Sequence, residues 1–319
     1  MSLSIIVTKN FNHMSDVAAE TVKKNIIQAQ RNKKMFVLGL ATGSSPTGVY
    51  KRLAEAANSG EYDSSRIRSF NLDEYVGLPG ENAQQRLMHP ESYCYFMIQE
   101  FFGLFKDKFL ESSVPFGSLI DQKELMRELK THTADWREAG TDAGRSIVIN
   151  KRSDSEYLAW IRNEVLDAYT RKIKKAGGID LQIIGVGGRG HVAFHESGIP
   201  FKGSKVMLVR LDDNTVANAV ADGHFASEKD SPRYAITMGA ELVYQAKVVV
   251  LLASGERKVS SVAESLLGDP TPDVPISYGQ IFAKGGGTLI YVVDRIVGEP
   301  LLANRKALKQ KGVRIRNLA

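Results

Sequence analysis

Met35-Phe36-Val37-Leu38-Gly39-Leu40-Ala41-Thr42-Gly43-Ser44-Ser45-Pro46-Thr47 is the stretch on which the reading of the fold turns. Its first six residues are an apolar run of strand length with no polar alternation. Such a run suits a strand covered on both faces, as in a parallel sheet. Small residues and hydroxyls follow, just ahead of a helical segment. Free backbone N–H groups at a helix start make an anion site. The loop lacks the Gly-Lys-Ser/Thr of a Walker P-loop, and an ordinary turn with an N-cap would read the same way.

Outward from this unit the rhythm repeats. Leu181–Val186, Val248–Ala253 and Thr288–Val293 are further buried-strand candidates, largely apolar along their length. Ser15–Arg31, Tyr157–Lys175 and Glu256–Leu267 carry apolar residues at helical spacing. Strand–helix alternation predicts an α/β fold: a doubly wound, mainly parallel, Rossmann-like sheet with helices on both faces. The 319 residues fit one such domain, 1–319. The polar stretch 106–156 breaks the rhythm and is read as a helical insertion or lid.

Composition narrows the function classes. With 43% hydrophobic and 24% charged residues the chain has the balance of a globular protein with a sizeable core. Cys94 is the single cysteine, which excludes an intrachain disulfide and a cysteine metal cluster and points to a reducing, cytoplasmic setting. No apolar run approaches the roughly 20 residues that span a bilayer, so no membrane partner is expected. Met1–Val7 has neither the basic start nor the apolar length of a signal peptide. The net charge is +6, but lysines and arginines are spread among acids, which disfavours a nucleic-acid partner and suits an anionic small substrate.

Four clusters carry candidate chemistry, each at the end of a predicted strand, where open α/β sheets bind ligands. Thr42, Gly43, Ser44 and Ser45 form the anion loop. Phe70-Asn71-Leu72-Asp73-Glu74-Tyr75 places two adjacent carboxylates, either of them able to serve as a general base. Gly185 to Gly198 is glycine-dense and holds His191 and Glu196, a proton-exchanging imidazole beside a carboxylate that can orient it. Lys258, one turn into a helix after Val248–Ala253, can reach a phosphate as a point charge. Taken singly, each has a plainer reading as a turn, a solvated acid pair, a structural histidine or a solvated lysine. No HExxH spacing is present, and no metal is expected.

Taken in order, the clusters resemble the glucosamine-6-phosphate deaminase family. The resemblance runs from about Leu38 to Leu301. It also covers His89-Pro90-Glu91-Ser92-Tyr93 and Pro232-Arg233-Tyr234-Ala235-Ile236-Thr237-Met238-Gly239. It implies that Asp73 moves a proton between C1 and C2 of an opened amino-sugar 6-phosphate. It implies that His191, helped by Glu196, opens the ring, and that Thr42–Ser45 and Lys258 hold the phosphate. Ketose 6-phosphate and ammonia would be the products, with no cofactor. A homo-oligomer is compatible with the resemblance, and the sequence does not fix its state.

The chain departs from the family pattern at several points. Arg189 stands where the family has Asp, His195 where it has Asn, and Val220 where it has a phosphate-contacting Arg. Gly80–Met88 is an extra segment. Two readings of Arg189 stay open: it contacts an anionic part of the substrate, or it pairs with an acid such as Glu196 or Asp73. Three rival functions also stay open: another sugar-phosphate isomerase, a 6-phosphogluconolactonase-like hydrolase, and a non-catalytic sugar-phosphate sensor.

Overall fold

The computed structural model describes residues 2–32, 34–187 and 189–319. Thirteen strands are present among them. The first seven are β1 (Ser2–Val7), β2 (Phe36–Leu40), β3 (Ile67–Asn71), β4 (Asp73–Val76), β5 (Glu111–Ser113), β6 (Trp136–Ala139) and β7 (Arg145–Ile149). The rest are β8 (Leu181–Ile184), β9 (Val206–Arg210), β10 (Tyr234–Met238), β11 (Val248–Ala253), β12 (Thr288–Val293) and β13 (Arg314–Asn317).

Eight of them form one sheet in the order β13-β1-β12-β11-β8-β2-β3-β5. Every pairing in it is parallel. The continuous apolar runs have the expected cause. Along β2, β8 and β11, alternate residues enter two different cores. Leu38, Leu40, Leu181, Ile183, Val250 and Leu252 pack under the helices Phe11–Arg31 and Ser44–Asn58. Val37, Ile184, Val249 and Leu251 face the other side, with Leu158, Val165, Val262 and Leu266 from the helical segments 156–175 and 259–267. The helix expected over Ser15–Arg31 starts at Phe11, because the Asn10 side chain caps it by accepting from His13 N–H. No helix among the described residues is long and apolar enough to cross a membrane.

From β2 the chain moves outward through β3 to β5, and from β8 it moves the opposite way through β11 to β12. The order therefore reverses between β2 and β8, which is where such sheets open a crevice. These two strands are paired only at Leu38–Leu181 and Gly39–Gln182, leaving their C-terminal ends apart.

A second sheet was not foreseen from the sequence. It is wholly antiparallel, in the order β4-β10-β9-β7-β6. Its strands are short and mix polar with apolar residues, as an antiparallel sheet permits. Leu72 joins the two sheets: its N–H donates to Leu40 C=O at 3.0 Å and its C=O accepts from Met238 N–H at 2.7 Å. Asp73 is thus the first residue of the second sheet, at the C-terminal edge of the first. The segment 106–156 contains the helix Gln122–Thr131 but also β5 and the β6–β7 hairpin, which extends the second sheet.

Candidate active site

The four clusters follow the C-terminal ends of β11, β8, β2 and β3, which are consecutive neighbours in the sheet. After β2, Gly43 takes a φ of 110°, a backbone state that side chains with a Cβ rarely adopt. It is the N-cap of the helix Ser44–Asn58 and offers no side chain to that helix's first N–H groups. Those donors stay free for an anion. Ser45 lies against the neighbouring loop: its Cβ is 3.9 Å from where a side chain on Gly185 would begin. Lys258 sits in the turn after β11, half-buried, with no ion-pair partner among the described residues. Burial first, and the neighbouring Arg257 charge second, hold its ammonium below the usual lysine range.

Asp73 and Glu74 are adjacent, both buried, and differently partnered. Glu74 accepts from Tyr75 N–H (2.9 Å), Tyr93 N–H (3.0 Å), Cys94 N–H (2.9 Å) and the Ser92 hydroxyl (3.1 Å). Ser92 is the N-cap of the helix Tyr93–Glu100, so the His89–Tyr93 motif builds a socket for Glu74. Burial still pushes Glu74 up to about 7 against those four donors. Among the described residues Asp73 has one side-chain partner, the Thr42 hydroxyl at 3.5 Å. Burial, then the Glu74 charge, hold the Asp73 carboxyl well above its ordinary 3.8. A buried carboxyl with spare acceptor capacity and a raised pKa is suited to take and return a proton.

His191 follows β8. Its Nδ1 lies 3.3 Å from Glu196 Oε2, and Glu196 is buried. The imidazole rests on the Cα of Gly187, where an added Cβ would fall inside the ring. Ala193 takes a φ of 52°, the one non-glycine residue among those described in the left-handed region. That turn lets His195 N–H reach Val192 C=O at 2.8 Å and Phe194 N–H reach the Thr237 hydroxyl at 3.1 Å. It doubles the chain back so that His191 and Glu196 face one another. His195 is fully buried: Nδ1 accepts from Ala240 N–H and Nε2 donates to Ile199 C=O, each at 3.0 Å. Burial pushes its pKa down to about 4, so it serves as a neutral staple.

Arg189 pairs with two acids the sequence did not nominate, Asp142 Oδ2 at 2.5 Å and Asp212 Oδ2 at 3.2 Å. Gly188, part of the glycine-dense stretch, lies outside the described residues. Val220 packs on an apolar cluster with Tyr75, Phe194 and Phe225. Glu74's socket was half-legible, since the His89–Tyr93 motif stood out without an evident role. Asp212 carried only the signal of a helix start, which it fulfils by accepting from Asn214 N–H at 2.6 Å. Asp142, in a hairpin loop 47 residues from Arg189, carried none.

No family model matches the chain. Curated proteins do. The glucosamine-6-phosphate deaminase of Thermoanaerobacter sp. (strain X514) is 36% identical over 274 residues, 86% of this chain and 87% of the relative. That of Clostridium botulinum (strain Loch Maree / Type A3) is 33% identical over 293 residues, 92% and 96% of the two chains. Among solved structures, a monomeric glucosamine-6-phosphate deaminase of the NagB superfamily matches with a TM-score of 0.69 at 25% identity, covering 93% of this chain and all of the other. The 6-phosphogluconolactonase of Thermotoga maritima shares the fold, with a TM-score of 0.59 at 18% identity over 92% and 99% of the chains.

Proposed function

The chain belongs to the glucosamine-6-phosphate deaminase family, and from that premise we propose that it converts an amino-aldose 6-phosphate and water into a ketose 6-phosphate and ammonia. The observation that carries this reading is the contrast at Asp73–Glu74. One buried carboxyl is fully engaged by four donors, and its neighbour is held at raised pKa with, among the described residues, a single hydroxyl partner. In this reading His191, steadied by Glu196, exchanges a proton at the ring oxygen as the pyranose opens. Asp73 then removes the proton from C2 and returns it to C1. The amine-bearing C2 becomes an iminium, water adds to it, and ammonia leaves. The open N-terminus of the helix Ser44–Asn58 and Lys258 hold the phosphate, with Thr42 turned toward Asp73. The single cysteine supports a reducing, cytoplasmic compartment for this activity.

The test is ammonia release from glucosamine-6-phosphate and galactosamine-6-phosphate, run beside hydrolysis of 6-phosphogluconolactone, which has no nitrogen to lose. Lactone hydrolysis without ammonia release would replace the reading. The pH profile is part of the expectation. The base must be ionised to act, and burial raises its pKa, so kcat/KM is expected to fall on the acid side with a midpoint well above 3.8. A midpoint near that ordinary value would remove Asp73 from the role.

Lys258→Ala is expected to raise KM by about 10- to 100-fold, with kcat within a few-fold. A charge-assisted bond to phosphate is made equally in the bound substrate and the transition state. A fall in kcat at unchanged KM would place Lys258 away from the phosphate.

A further inference from the structure

We propose that Arg189 is a positioning residue for the His191–Glu196 couple, acting through a clamp between the β6–β7 hairpin loop and the glycine-rich loop after β8. The inference rests on the deaminase reading above and assigns that site a part the sequence did not suggest. Arg189 Nη1 donates to Asp212 Oδ2 at 3.2 Å, and Nη2 to Asp142 Oδ2 at 2.5 Å. Asp212 is buried, and its backbone N–H points at Glu196 Oε1 at 3.4 Å. The other Glu196 oxygen faces His191 Nδ1 at 3.3 Å. A continuous line of contacts therefore runs from Arg189 through Asp212 and Glu196 to the imidazole.

The hairpin loop closes the other side. Thr141 N–H donates to Gly198 C=O at 3.2 Å. Gly144 lies directly on Glu196, where an added Cβ would stand 2.6 Å from Glu196 Cβ and 3.3 Å from Asp212 Cβ. Arg145 braces the loop from within, donating to Asp142 C=O at 2.6 Å and Gly140 C=O at 3.0 Å. Arg189 is the pin that ties this braced loop to Asp212. A planar guanidinium can serve two carboxylates at once, which a lysine ammonium does less well. Without it, the buried Asp212 charge loses its counter-ion, and the backbone that aims at Glu196 loses its anchor. The side chain that stands at position 189 is thereby committed to protein acids rather than to substrate.

The experiment compares Arg189→Ala, Arg189→Lys, Asp142→Asn and the double variant Arg189→Ala/Asp142→Asn. Asp142 is on the surface, so its variant keeps the fold if Arg189→Ala does not. Arg189→Ala is expected to lower kcat by about 10- to 100-fold with KM within about twofold, the pattern of a misplaced group rather than a lost substrate contact. Asp142→Asn falls less, Arg189→Lys lies between, and the double variant is no worse than Arg189→Ala alone, because both act through one unit. The His191 ring nitrogen resonances, identified by their loss in His191→Gln, are expected to move in Arg189→Ala and in Asp142→Asn. A KM rise at unchanged kcat overturns the proposal in favour of substrate contact. Unchanged kinetics with unmoved resonances overturn it outright. Should the wild type release no ammonia, the deaminase reading fails, and the resonances still decide the clamp.

Discussion

Asp73→Asn is expected to lower kcat by about two to four orders of magnitude while KM stays within a few-fold. Asn keeps the shape of the carboxyl and its place beside the Thr42 hydroxyl, but it cannot take a proton from C2. The same substitution has a second consequence of opposite sign for stability. The Asp73 carboxyl is raised in the folded protein, so between 3.8 and its raised value the folded state holds a proton that the unfolded state has released. Stability therefore falls as pH rises through that window, and the deficit persists above it. Asn never ionises, so Asp73→Asn is expected to unfold at higher temperature than the wild type at about pH 8, the gain vanishing below the window. Near-normal turnover in Asp73→Asn would mean the base lies elsewhere. A variant less stable than wild type at pH 8 would mean that the folded protein favours the ionised carboxylate, against the burial argument.

Gly187→Ala is expected to lower kcat by about a hundredfold, close to the effect of removing the imidazole itself. The reason is spatial. The His191 ring occupies the volume where the new methyl must go, and the backbone on which both sit is tied by Gly190 N–H to Gly187 C=O at 3.0 Å. The cheaper adjustment is for the ring to swing away from Glu196 Oε2. Gly187→Ala/His191→Gln is then expected to be no slower than His191→Gln alone, since the methyl acts only by displacing a ring that is gone. Strict additivity of the two losses would show that the methyl obstructs the substrate instead. Full activity in Gly187→Ala would show that the imidazole works from another position.

The parts legible in the sequence were those whose physics is local. β2, β8, β11 and β12 stood out because burial on both faces leaves a strand with few polar residues. Thr42–Ser45, Asp73, His191, Glu196 and Lys258 stood out because they follow such strands. The second sheet was hidden because its strands declare nothing alone. Asp73–Val76 reads as an acid pair and Tyr234–Met238 as a motif of unknown use, and only pairing, β4 on β10 and β10 on β9, makes them strands. The partners of Arg189 were hidden for the same reason. The acids weighed as its partners, Glu196 and Asp73, were those of the candidate site itself, whereas Asp142 and Asp212 are brought in by the β7–β9 pairing. The segment 106–156 was read by its polarity as helical. An antiparallel hairpin with one exposed edge is equally polar, and composition does not separate the two.

The placement of β1 between β12 and β13 also orders events during synthesis. Ser2 and its partner Thr288 are 286 residues apart in the chain. At a ribosomal pace of roughly 5–20 residues per second, about 14 to 57 s separate the making of the two. Throughout that interval β1, with its buried Leu3, Ile5 and Val7, has no sheet to join, although β2, β3, β8 and β11 can already assemble beside it. The nascent protein therefore carries an unpaired apolar strand throughout that interval, a natural client for a chaperone that binds extended segments. A ribosome-stalled chain ending before residue 288 is then a nearly complete crevice with a loose leading strand.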